Sequence, residues 1–302
     1  MLIPPFLKPG DTIGICAPAR KVSLTEIHPA ITIFKQWGLN VKLSKHLFNE
    51  YHQFSGTDAE RANDLQELIN APEVNAIISA RGGYGTLRII DRLNFNPLKQ
   101  YPKWICGFSD LTVLHAHINK HLPMATLHST MPINFLKNNI AIQSLKNLLF
   151  GEPFNYTIPV HTLNRTGKAH GKIIGGNLSL IYALSGSTSD IDTSGKILFL
   201  EDLDEYLYHI DRMMIQLKRS GKLKNLAALI VGSFSDIKDN TIPFGMTAYQ
   251  IIKSHVEEYN YPVCFNFPAG HQEPNTALYF GVEASLIVEE TKVELTYPHI
   301  IA

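Results

Sequence analysis

A hydroxyl, an imidazole and a carboxylate carry the chemistry this sequence offers, and each sits where an apolar run gives way to a turn. In WICGFSDLTVLHA, Trp104 to Ala116, four strand-like residues run into Gly107-Phe108-Ser109-Asp110, and an apolar pattern of helical spacing follows. A strand-to-helix corner can lift the Ser109 oxygen into a cleft as a nucleophile, although Ser and Asp are equally the residues that start helices. A serine hydroxyl at neutral pH needs a base, a group to hold that base, and donors for an oxyanion. Among 13 histidines, His271 in FNFPAGHQEPN is the best candidate base. It follows a strand run inside a Gly/Pro/Asn-rich loop, where a scaffold presents working side chains; an exposed loop histidine is the alternative. Glu201 ends the apolar run Ile197-Leu198-Phe199-Leu200, where a carboxylate needs a charged or hydrogen-bonding partner. Asp202, Asp204 and Glu205 read instead as the start of the next helix, favouring its positive end, Asp204 above all.

Donors for an oxyanion are sought in VNAIISARGGYGTLRII, a second strand running into a glycine turn, Gly82-Gly83-Tyr84-Gly85. Glycines let backbone N–H groups approach a ligand closely, and the helix that follows adds partial positive charge. An oxyanion site formed by the N–H groups of Gly83 and Asp110 accounts for both turns at once. A phosphate-binding loop is the competing reading, but neither G-x-x-x-x-G-K-[ST] nor G-x-G-x-x-G is present. His117 and His121, spaced i, i+4 beside His115, could share a helix face as metal ligands. No H-E-x-x-H accompanies them, so no metal and no cofactor is expected.

The elements that must position these groups fall into two textures. From Asp11 to about Phe150, the runs DTIGICAPA, NVKLSK, VNAIISA, KWICGFS and PMATLHS alternate with helical segments such as SLTEIHPAITIFKQWG and TDAERANDLQELIN. That order predicts an N-terminal α/β domain over 1–150 with a mainly parallel wound sheet and ligand loops at the strands' carboxyl ends. Between 151 and 170 the helical period is lost and turn residues accumulate, which predicts an interdomain crossing. Over 171–302, strand candidates GKIIGG, KILFLED, LAALIVGSF, PVCFNFP, ALYFGV and ASLIVEE are broken by few helices, notably NLSLIYALSG and EYLYHIDRMMIQLKRSG. This predicts a β-rich α+β domain with antiparallel strands.

Composition narrows the class of partner. The 302 residues are 45% hydrophobic, enough for a sizeable core, and 27 Lys plus Arg balance 27 Asp plus Glu. No net field or basic run favours nucleic acid or a membrane surface, so small neutral or zwitterionic partners fit better. The start has no basic leader and is broken by Pro4, Pro5 and Pro9, and no later run approaches a membrane span. Cys16, Cys106 and Cys264, all in apolar strand-like runs, suit buried free thiols in a reducing compartment, so a cytoplasmic location is expected.

ARGGYG at 80–85, GFSD at 107–110, GGNLS at 175–179, FLED at 199–202 and PAGH at 268–271 resemble, in order and placement, the LD-carboxypeptidase family. That family includes muramoyl-tetrapeptide carboxypeptidases and microcin C immunity peptidases, and LKPGDTIGICAPA is similar to its first strand. The resemblance implies a Ser-Glu-His triad of Ser109, Glu201 and His271 assembled across two domains, the first flavodoxin-like or class I amidotransferase-like. It also implies a cytoplasmic murein peptide as substrate, release of its terminal D-alanine through an acyl-enzyme, and a homodimer. Arg81, Tyr84 and Asn177 are the candidates for touching substrate, with a salt bridge as the alternative role of Arg81. One departure stands out: TLHSTMP places Ser129 and Thr130 after His128, where family members commonly carry a glycine, and this stretch could line the cleft. A microcin-like aminoacyl-nucleotide hydrolase, or a non-catalytic anion-binding module using the ARGGYG loop, are the alternative functions.

Overall fold

The computed structural model describes residues 1–298 and 300. The alternating first half folds as its pattern predicts. Strands β1 (Thr12–Cys16), β2 (Asn40–Leu43), β3 (Val74–Ser79), β4 (Trp104–Gly107) and β5 (Thr126–His128) run parallel in the order β2-β1-β3-β4-β5. Between and after them lie helices α1 (Leu24–Gln36), α2 (Asp58–Asn70), the short α3 (Pro97–Gln100), α4 (Thr112–His121) and α5 (Asn139–Phe150). Capping boxes fix the starts of α1 and α2, Ser23 with Glu26 and Thr57 with Glu60 each satisfying the other's backbone N–H. α5 ends at Gly151 in the left-handed conformation, φ 74°.

The second half departs from the antiparallel expectation. Strands β6 (Gly167–Asn177), β7 (Ile197–Leu203), β8 (Ala228–Ser235) and β9 (Val263–Cys264) are mutually parallel, joined by α6 (Leu178–Leu184), α7 (Leu207–Arg219) and α8 (Ala248–Val256). Among the described residues of this sheet, β11 (Glu283–Val288) and β12 (Val293–Thr296) pair antiparallel and extend it beyond β6. The physical signal was the unbroken apolar runs of β7 and β8, whose central residues are all buried. Strands covered on both faces read this way, whereas half-exposed antiparallel strands alternate, as β12 does.

One strand links the two sheets. β10 (Leu278–Phe280) follows β9 in the chain but pairs antiparallel with β5 at the edge of the first sheet. Leu278 and Phe280 point into a core shared with Phe199 and Phe267, while Tyr279 packs with Trp104 and Leu127 of the first sheet. The two-residue period of a strand thus serves two cores at once. Together these elements form a two-domain α/β fold. No helix among the described residues is long and apolar enough to cross a membrane.

Candidate active site

Three strand ends of the first sheet supply one wall of a cleft. The chain order reverses between β1 and β3, and loops leaving the carboxyl ends beside such a reversal diverge to leave a crevice. After β1 comes Arg20, after β3 the turn Arg81-Gly82-Gly83, and after β4 Phe108-Ser109-Asp110, all lining a cavity of about 650 Å³. From the second sheet come Asn177 and Asp202, and from the loop between its strand β9 and β10 comes His271.

Ser109 sits at φ 61°, a left-handed conformation that costs a non-glycine residue on the order of 1–2 kcal/mol. The sharp corner turns its side chain toward the opposite glycine turn. A Cβ added to Gly82 would lie 3.2 Å from Ser109 Cβ and 3.4 Å from its Oγ, so the small residue permits this approach. Ser109 Oγ lies 3.1 Å from His271 Nε2, and His271 Nδ1 lies 2.6 Å from Glu201 Oε2. With the ring neutral and its proton on Nδ1, the serine hydroxyl donates to Nε2 and the ring donates to Glu201.

Burial supports this relay unevenly. Glu201 is fully buried, while the His271 side chain keeps 15% exposure at the cleft. Burial favours the neutral imidazole, but the Glu201 charge and hydrogen bond, helped by Asp202, outweigh it and raise the His271 pKa above its ordinary value. Gly270 makes room for this packing at φ 106°: a Cβ there would lie 2.8 Å from that of Glu201.

The glycine turn is held from behind. Thr86 N donates to Asp110 Oδ2 at 2.8 Å, and Arg61 donates to the carbonyls of Gly85, at 3.0 Å, and Pro18. Burial raises the Asp110 pKa against these interactions. Neither contact left a local sign in the sequence, because each joins residues 24 or more positions apart.

The remaining candidates fall in different places. Asn177 borders the cleft, but its amide caps α6 and donates to Asp202 Oδ1 at 2.8 Å. Arg81 also borders it, with Nη1 turned to the Lys21 carbonyl at 3.4 Å and the Glu26 carboxylate at 3.9 Å. Tyr84 is outside the cleft lining and packs by Phe54, ring centroids 6.1 Å apart. Asp202 does not start the next helix. It is buried and accepts from Ser179 N at 2.9 Å, anchoring the start of α6, and burial followed by the Glu201 charge pushes its pKa up to about 7. Nor does Asp204 lie in the first turn of α7: its backbone turns at φ 59° and its carboxylate pairs with Lys238 at 2.5 Å.

The histidines of α4 are engaged elsewhere. His117 Nδ1 bonds Ser189 Oγ at 2.9 Å, His121 Nε2 bonds the Thr188 carbonyl at 2.8 Å, and His115 Nε2 bonds the Gly107 carbonyl at 2.9 Å. Among the described residues no group of three or more His, Cys, Asp and Glu could hold a metal ion. Ser129 and Thr130 are buried behind the cleft rather than lining it; Met131 and Ile133 line it instead. His128 is fully buried among Phe108, Phe199 and Phe280, and that burial drives its pKa well below the ordinary value. Two cleft residues that sequence reasoning missed are Arg20 and Lys137. Nothing local separates either from an ordinary solvated cation.

Residues 13–129 match the LD-carboxypeptidase N-terminal domain, and residues 170–286 match the LD-carboxypeptidase C-terminal domain. The chain belongs to the LD-carboxypeptidase family. A Bacillus subtilis member described as a probable murein peptide carboxypeptidase is 35% identical, over 95% of this chain and 92% of that one. The crystal structure of muramoyltetrapeptide carboxypeptidase from Oxalobacter formigenes superposes with a TM-score of 0.84 at 28% identity, covering 95% of this chain and 99% of that one. The microcin self-immunity protein MccF, in complex with aspartyl sulfamoyl adenosine, shares the fold at a TM-score of 0.89 and 22% identity, both chains fully covered. In this LD-carboxypeptidase, the matched domains contain Ser109 on one side and Glu201 and His271 on the other.

Proposed function

We propose that this chain is a serine carboxypeptidase that hydrolyses the amide bond to the terminal D-alanine of murein tetrapeptides, in cytoplasmic cell-wall recycling. The observation that carries the reading is the Ser109–His271–Glu201 relay, at 3.1 and 2.6 Å, opening on one cleft. The murein peptide is suggested by what the Bacillus subtilis and Oxalobacter formigenes relatives are described as acting on. The order β2-β1-β3-β4-β5 supports reading the first domain as flavodoxin-like.

In this mechanism His271 Nε2 takes the Ser109 proton as Oγ attacks the scissile carbonyl carbon. Glu201 keeps the ring in the required tautomer and stabilises the imidazolium. The oxyanion receives the N–H groups of Gly83 and Asp110. The latter lies in the first turn of a short helix over Ser109–Leu111, where N–H groups have no partner within the helix. Each such donor contributes about 3 kcal/mol in comparable acyl-transfer sites. Collapse breaks the C–N bond while His271 returns its proton to the leaving amine. Water, deprotonated by the same imidazole, then hydrolyses the acyl-enzyme.

Incubation with UDP-MurNAc-tetrapeptide and assay of free D-alanine tests the reading. Wild type is expected to release D-alanine, and Ser109→Ala or His271→Ala to lower kcat by about 10³-fold or more. Retained turnover in Ser109→Ala removes the nucleophile assignment. Hydrolysis of an aminoacyl-sulfamoyl nucleotide without D-alanine release would move the substrate to the microcin type. Anion binding with no hydrolysis of either would leave a binding module.

A further inference from the structure

The cleft beside Ser109 is divided by charge. On one wall Asp202, Asp204 and Glu205 are already engaged: Asp202 by Asn177 and Ser179, Asp204 by Lys238 at 2.5 Å, and Glu205 by His209 at 2.5 Å. Arg20 and Lys137 line the same cleft, and among the described residues neither cationic group makes a side-chain hydrogen bond or an ion pair within 4 Å, although the Lys137 charge is felt at Glu273. Two cations facing one cavity with their hydrogen-bond donors unused can receive an anion that comes with the ligand.

Their positions relative to the reacting groups say which anion. Arg20 lies across the glycine turn: a Cβ built on Gly83 would meet its Cδ at 2.5 Å and its Nε at 2.8 Å, and the neighbouring Gly82 abuts Ser109. Lys137 and His271 line the same cavity, and the Lys137 charge opposes protonation of His271 and of Glu273. His271 is the group that protonates the leaving amine in the proposed reaction, so the leaving residue must lie beside it. When that residue is a C-terminal amino acid, its carboxylate hangs on the carbon bonded to the leaving nitrogen.

We propose that Lys137 and Arg20 together bind the terminal carboxylate of the substrate, restricting the enzyme to peptides that end in a free acid. The inference rests on the carboxypeptidase reading above. The opposite wall, whose acids are satisfied by their own partners, leaves a carboxylate no favourable site there, so the charge division also sets the direction in which the peptide lies. Arg81, which the sequence offered as a substrate contact, is directed toward Lys21 and Glu26 instead.

The test compares a murein tetrapeptide ending in D-alanine with the same peptide ending in D-alaninamide. Binding to the Ser109→Ala protein is measured by calorimetry, and turnover of both peptides by proteins that retain Ser109. Lys137→Gln is expected to weaken binding of the acid peptide roughly 10-fold or more, the effect of losing a charged hydrogen bond. The amide peptide should lose much less, Lys137→Arg should restore the difference, and Arg20→Gln should act in the same direction. In kcat/KM the acid-to-amide preference should fall by a similar factor. Equal losses on both peptides, or equal or undetectable binding of both to Ser109→Ala, overturn the carboxylate assignment. Absence of D-alanine release by wild type while acid-selective binding persists in Ser109→Ala would instead overturn the hydrolytic reading and retain the clamp.

Discussion

In the proposed reaction His271 is the base, and the site's pH behaviour turns on it. A general base must be neutral, and its raised pKa keeps it protonated to a higher pH than an ordinary histidine. The acid limb of kcat/KM is therefore expected above the usual histidine value of about 6.5, with activity lost as pH falls through it. Glu201→Gln removes the charge that opposes burial, so the limb should move to lower pH while kcat drops. Asp202→Asn, which removes the smaller acidic influence on His271, from a carboxyl itself raised to about 7, should shift it the same way by less. A pH–rate profile for the three proteins checks both; an unmoved limb in Glu201→Gln would disconnect that carboxylate from the base. Ser109, Glu201 and His271 were legible because each ends an apolar run at a turn. Lys137 and Arg20 were not, since a cation facing a cleft has the same sequence as one facing water.

At the scale of elements, glycine placement decides whether strand ends can come together. Gly175 in β6 has φ 127°, and a Cβ there would sit 2.0 Å from the Phe199 carbonyl oxygen of β7. No flexible side chain can yield at that contact. Gly175→Ala is expected to lower the unfolding free energy by roughly 3 kcal/mol or more, read from the urea midpoint. It should also reduce activity, because the same pairing sets Asn177 against Glu201 two residues further on. The helix starts at Ser23 and Thr57 were readable from a spacing of three residues, since capping is local. The direction of β7 and β8 was signalled only by their unbroken apolar runs, and that of β9 by nothing local, because parallel or antiparallel pairing depends on where a connecting helix packs.

Across the whole molecule, β10 ties the sheets, and unfolding should be a single event. Both tryptophans, Trp37 and Trp104, lie in the first half, so fluorescence reports there while far-UV circular dichroism reports everywhere. The two probes are expected to give coincident urea transitions. Phe280→Ala, removing a fully buried ring from the core beside Phe199, should shift both together by about 3–5 kcal/mol. Separated transitions would show that β10 does not couple the sheets. The sequence by itself determined the wound first half, the buried thiols and the three strand-end groups, since periodicity, capping and turn chemistry act over a few residues. Only the tertiary structure decided that Ser109 lies 162 positions from His271 yet 3.1 Å away, and which acids and cations share their cleft. Such distances are set by how two sheets pack through a common core, a sum over many weak contacts that no short stretch of chain encodes.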